Sequence, residues 1–131
     1  MYSFNVKRHD SFEKIVTEVT EALKTEGFGV LTEIDVQATL KKKLGVERKP
    51  YLILGACNPQ LAHRALEIDP DIGLLLPCNV VISEENDGSI LVSFMDPLAV
   101  MGLVNKPEIM DIAKDAYQRL KRVQAVLASN I

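Results

Sequence analysis

Apolar and polar positions change period several times along this chain, and each change marks an element. Between Tyr2 and Arg8, Tyr2, Phe4 and Val6 alternate with Ser3, Asn5 and Lys7, the period of a strand with one buried face. Phe12, Ile15, Val16, Val19, Ala22 and Leu23 then recur at helical spacing, predicting a helix from about Ser11 to Thr25, with Asp10 or Ser11 as its cap and Gly27 ending it. Phe28, Val30, Thr32 and Ile34 restore the alternation and predict a second strand to Asp35. Asp35 caps a short helix whose stripe is Val36, Leu40 and Leu44, stopped by Gly45.

The run Tyr51 to Cys57 is apolar on both parities, which predicts an interior strand covered on both faces. Asn58-Pro59 starts a short helix that ends near Ile68. Ile72 to Ser83 reads as a long strand bent at Pro77, and Asp87-Gly88 as a two-residue type I′ hairpin into a strand that buries Ile90, Val92 and Phe94. Pro97 to Val104 is apolar without a clean period. After Asn105-Lys106-Pro107 the last helix carries an inner stripe of Ile109, Ile112, Ala113, Ala116, Leu120, Val123 and Leu127. The order β-α-β-α-β-α-β-β-α, with a hairpin that requires an antiparallel pair, predicts an α+β, two-layer single domain over residues 1–131, a mainly antiparallel sheet with helices packed on it.

Charge narrows the partners. With 15 basic and 18 acidic residues the net charge is −3, so no global field draws the chain to nucleic acid or to an anionic membrane. Lys41, Lys42 and Lys43 spread around the outward side of their helix and read as a solvated face. No signal peptide and no membrane-length apolar run is found, and a cytoplasmic location is expected. In that compartment the two cysteines are expected as thiols.

Candidate chemistry is sparse. Cys57 closes a strand just before a helix N-terminus, where backbone amides and the helix dipole favour a thiolate, and Cys78 follows Pro77. Two small buried hydrophobes is the plainer reading, a redox or ligand pair with His63 the sharper one. Cys57, Cys78 and His63, with Asp96 as a fourth ligand, could hold zinc or copper, although no CxxC or HxxxH spacing supports a metal. No phosphate loop or serine-nucleophile motif is present. Leu98, Val100, Met101 and Leu103 are core, or else a subunit contact or ligand groove.

Taken together, Gly27-Phe-Gly-Val-Leu-Thr-Glu-Ile-Asp-Val36, Tyr51-Leu-Ile-Leu-Gly-Ala-Cys-Asn-Pro59 with Ala62-His-Arg-Ala65, Gly73-Leu-Leu-Leu-Pro-Cys-Asn-Val80 and Asp96-Pro97 resemble an uncharacterised prokaryotic family, the domain of unknown function numbered three hundred and two. The resemblance implies a β-α-β(4)-α core, similar to the TATA-binding-protein-like fold, with two short extra helices, and a homodimer. It assigns Cys57, His63 and Cys78 no role, and a shared fold does not imply DNA binding. The expectation is a homodimeric module that binds a small ligand or a protein, with no cofactor and no chemistry of its own. Its rival is a thiol redox or soft-metal protein using Cys57 and Cys78.

Overall fold

A computed structural model describes residues 1–130. Its elements are β1 (Ser3–Arg8), α1 (Phe12–Thr25), β2 (Gly29–Asp35), α2 (Val36–Leu44), β3 (Tyr51–Cys57), α3 (Pro59–Ile68), a 3-10 turn (Pro70–Leu75), β4 (Cys78–Glu84), β5 (Ile90–Met95), α4 (Pro97–Met101) and α5 (Pro107–Ser129). The five strands form one antiparallel sheet in the order β1-β5-β4-β3-β2, so the predicted α+β layering holds.

Local chemistry sets most boundaries. Ser11 accepts the Lys14 amide at the start of α1, Asp35 the Ala38 amide at α2, and Asn58 the Leu61 amide at α3, each satisfying a donor that the first helical turn leaves free. Pro59, Pro97 and Pro107 each begin a helix, where a missing N–H costs nothing. Gly27 (φ 83°) and Gly45 (φ 67°) take the left-handed conformation just past α1 and α2.

The core lies between one face of the sheet and the helices. Val6, Leu54, Val80, Ile82, Val92 and Phe94 of the strands meet Ile15, Val19 and Leu23 of α1 and the whole predicted stripe of α5. At its margin Phe4 stacks on Phe94, ring centroids 5.3 Å apart, and meets Tyr117 edge-on at 5.7 Å.

Four local expectations are corrected. The long strand from Ile72 does not form: Asp69 accepts the Asp71 amide, Pro70 opens the 3-10 turn, and Ile72 drops into the core, so β4 begins only at Cys78. The hairpin is not a two-residue turn. Glu85 N–H donates to Ser89, Gly88 N–H donates to Glu85, and Gly88 is left-handed (φ 85°), a three-residue loop with a bulge that Asp87 holds by accepting the Ser89 amide and hydroxyl. The aperiodic run after Pro97 is a short helix, α4, capped by Asp96. Finally, β3 is interior in the sheet but is not covered on both sides, because α1, α3 and α5 pack on the face that carries Leu54 and Ala56. Tyr51 and Ile53, on the opposite parity, remain half-exposed.

The two sheet edges are treated differently. On β1 the side-chain amide of Gln124, from α5, donates to the outward carbonyl of Asn5 at 2.6 Å. The pairing of β2 with β3 shifts register between Val30 and Thr32, a bulge that leaves Leu31 66% exposed.

Candidate functional site

The two cysteines sit at one end of the sheet. Cys78 lies directly opposite Ala56 in the β3–β4 ladder, and Cys57 is the next residue along β3. Both are free thiols bordering a narrow apolar cavity of about 40 Å³ beneath α3, α4 and α5, with Phe28, Leu61, Met101 and Ile112 among its walls. Drug-sized ligand sites run to several hundred Å³. This space is a packing gap between helices.

Burial works against a thiolate. It pushes the Cys57 thiol up, and it pushes Cys78 up to about 11, the neighbouring Cys57 adding to the rise. Burial thus works against the thiolate that the start of α3 favours at Cys57. The Leu61 amide, one of the donors of that first turn, is already taken by the Asn58 side-chain oxygen.

His63 and Asp96 do not join the pair. The His63 side chain is 76% exposed on the outer face of α3, 3.9 Å from Glu67, and Asp96 is occupied as the α4 cap. Among the described residues no three His, Cys, Asp or Glu side chains form a group that could hold a metal. The apolar candidates also separate. Met101 is buried beside the cavity, Leu98 packs against the core, Val100 is half-buried, and Leu103 is 79% exposed.

Two features escaped the sequence reading. One is a polar junction where α1, α3 and α5 converge: the Glu26 carbonyl accepts from Arg119 at 2.9 Å and from the Asn58 amide at 3.4 Å, while the Glu26 carboxylate accepts from Arg122 at 2.8 Å. The Arg122 hydrogen bond holds the Glu26 carboxyl below its ordinary range.

The other feature is the open face of the sheet. The ladder registers put Ser3, Asn5 and Lys7 of β1, Leu91, Ser93 and Met95 of β5, Asn79, Val81 and Ser83 of β4, Tyr51, Ile53 and Gly55 of β3, and Thr32 and Ile34 of β2 on the parity opposite the core. Among these described residues only Lys7 is charged, and it lies on an edge strand paired with Glu85. A groove of about 410 Å³ runs along this face, bordered by Tyr2, Ser3, Tyr51, Asn79, Ser83 and Ser93. The signal was present in the sequence: the non-core parities of β3, β4 and β5 carry hydroxyl, amide and apolar residues where a solvated face would carry Lys and Glu.

These features define a two-layer α+β protein with helices on one side of an antiparallel sheet and, on the other, an open face of few charges where Arg48 stacks over Tyr51, its guanidinium 4.9 Å from the ring centre. The chain belongs to the family DUF302, a domain of unknown function, whose model matches residues 2–127. It is similar to a protein of known crystal structure, an uncharacterized conserved DUF302 protein from Bacillus stearothermophilus, at 33% identity and a TM-score of 0.88 over 95% of this chain and 97% of that one. No curated protein matches the chain. The family carries no assigned activity.

Proposed function

We propose that this protein is a cytoplasmic homodimeric binding module, paired through the open face of its sheet and holding a small ligand in the groove of that face. The observation that carries the reading is the low charge of that face, to which the strands bring only Lys7 and the loop after α2 adds Arg48 over the Tyr51 ring. In a two-fold contact each residue meets its own kind near the axis, so a charge there would oppose its twin, whereas Ser, Asn and Thr can donate to and accept from themselves. Depletion of charge is also what marks the centre of protein interfaces. The groove's volume lies within the range of small-ligand sites, and beside its neutral lining the Arg48 guanidinium stands 4.9 Å from the centre of the Tyr51 ring. No helix among the described residues is long and apolar enough to cross a membrane.

Sedimentation velocity of the wild type and of Val81→Glu, at 1–100 µM as a working range of about two decades around ordinary dimer affinities, tests this. The wild type is expected as a dimer and Val81→Glu as a folded monomer by circular dichroism. A monomeric wild type across that range overturns the reading.

A further inference from the structure

Cations gather at the Tyr51 end of the open-face groove, and one of them is unanswered. The ladder registers set Tyr51, Ser83, Leu91 and Lys7 side by side across β3, β4, β5 and β1. Around this row Lys7 pairs with Glu85 and Lys49 with Glu84, each at 3.4 Å. Arg48 is left over. Its guanidinium stands over the Tyr51 ring and makes no ion pair and no side-chain hydrogen bond among the described residues, and its neighbour Glu47 is taken by Lys41 at 2.7 Å.

Arg48 is nonetheless held in place. The Gln37 side-chain amide donates to the Arg48 carbonyl at 2.9 Å, tying the loop to α2, while the Tyr51 ring steadies the other end of the side chain. A guanidinium set over an aromatic ring is weakly hydrated and keeps its N–H fork for an acceptor. Tyr51 borders the groove, so that fork stands at the groove's rim. From Ser83 to Asn79 the floor then runs roughly 13 Å at strand rise, with Val81 and Leu91 as its apolar part and Ser93 beside them. None of the residues bordering it is charged.

Resting on the groove as a ligand site, we infer that it takes a small monocarboxylate with an apolar body, the carboxylate accepting from the Arg48 fork and the body lying over Val81 and Leu91. The planar fork of an arginine matches the two oxygens of a carboxylate. One unanswered cation also calls for one negative charge. A phosphate monoester would bring about two, and the surplus would face Glu84 and Glu85 at the same end of the sheet. A neutral ligand of the same shape would leave the Arg48 donors to water and forgo the one charged contact this end offers.

Titration with octanoate and with octanamide, which share a chain and differ in the charged head, tests this when followed by backbone amide chemical shifts. In the wild type, octanoate is expected to shift the amides of Val81, Ser83 and Ser93 and to bind about tenfold more tightly than octanamide, the scale of a hydrogen bond to a charged group. Arg48→Gln, folded by circular dichroism, is expected to lose that preference by weakening octanoate alone. Equal affinities in the wild type, or a preference that survives in Arg48→Gln, overturn the inference and leave the groove standing as a binding site. If neither probe shifts those amides at up to about 10 mM, a decade above a millimolar dissociation constant, the inference and the ligand groove both fall, while the dimer is judged separately by sedimentation.

Discussion

The Arg8 guanidinium donates to Glu18 at 3.0 Å from a position that is only 1% exposed. It also donates to the Leu127 carbonyl at 3.2 Å and to Asp10 at 2.8 Å, so one side chain ties the end of β1 to α1 and to the last turns of α5. Arg8→Met keeps the apolar stem but removes the guanidinium from both carboxylates and from a buried carbonyl, leaving Asp10 with Lys14 and Glu18 with Asn130. It is expected to cost about 3 kcal/mol, the low end for breaking a buried pair, because Glu18 and Asp10 keep partial access to water. Urea denaturation measures this. A loss below about 0.5 kcal/mol, the scale of an ordinary surface substitution, would mean that the cluster contributes no more than exposed ion pairs do.

The same cluster sets an acid limit. Arg8 holds the Glu18 carboxyl below its ordinary value, and Lys14 first and Arg8 second hold Asp10 below its own. In the unfolded chain these carboxyls take up protons at higher pH than in the folded one. Their contribution is therefore complete above the unfolded values of 4.5 and 3.8 and is lost as pH falls through the lower folded ones. Stability is expected to be level from neutral pH down to about 5 and to fall steeply below 4. Arg8→Met should flatten that fall, and an unchanged profile in this variant would contradict the assignment.

Thiol chemistry should be slow. With Cys57 pushed up by burial and Cys78 pushed up to about 11, the native protein is expected to react with iodoacetamide far more slowly at pH 7.5 than free cysteine, with Cys78 the slower site, and to accelerate only as pH approaches 9 and above. Site-resolved labelling by mass spectrometry reads this. A cysteine that labels at neutral pH as fast as a free thiolate would restore the redox reading.

Gly27 is predicted to be intolerant of any side chain. Its φ of 83° disfavours a Cβ, and a Cβ there would stand 2.8 Å from Asn58 Nδ2, the residue that caps α3. Gly27→Ala is expected to cost about 1–2 kcal/mol for the left-handed backbone alone, and Asn58→Ala about 1 kcal/mol for the lost cap. The double variant should lose less than the sum, since the two disturb the same contact. Strict additivity in thermal or urea unfolding would show that they act independently.

Much of this architecture was legible in the residues. The α5 stripe, the buried parity of β5 and the caps at Ser11, Asp35 and Asn58 all follow from periodicity and local donor chemistry, which need no knowledge of distant contacts. Arg8 was not legible as a buried residue, although it shares the parity of Phe4 and Val6, because its burial depends on Glu18 and Leu127 arriving from two helices. The 3-10 turn after Asp69 was obscured by the apolar run Leu74-Leu75-Leu76, which fits a strand as well as a turn. For the thiols, sequence showed the helix start after Cys57 but not the helices that desolvate it. The place of His63 was legible too, since it falls off the stripe of Leu61, Ala62, Ala65 and Leu66, and its side chain is exposed.

The Gln124 amide on the Asn5 carbonyl and the bulge at Leu31 have a further consequence. A five-stranded sheet with an open ladder on each side would recruit strands from neighbouring molecules, the route to ordered fibrils. Here one margin carries a side chain reaching from α5 and the other a bulge that breaks its register, and each works against strand addition in the plane of the sheet.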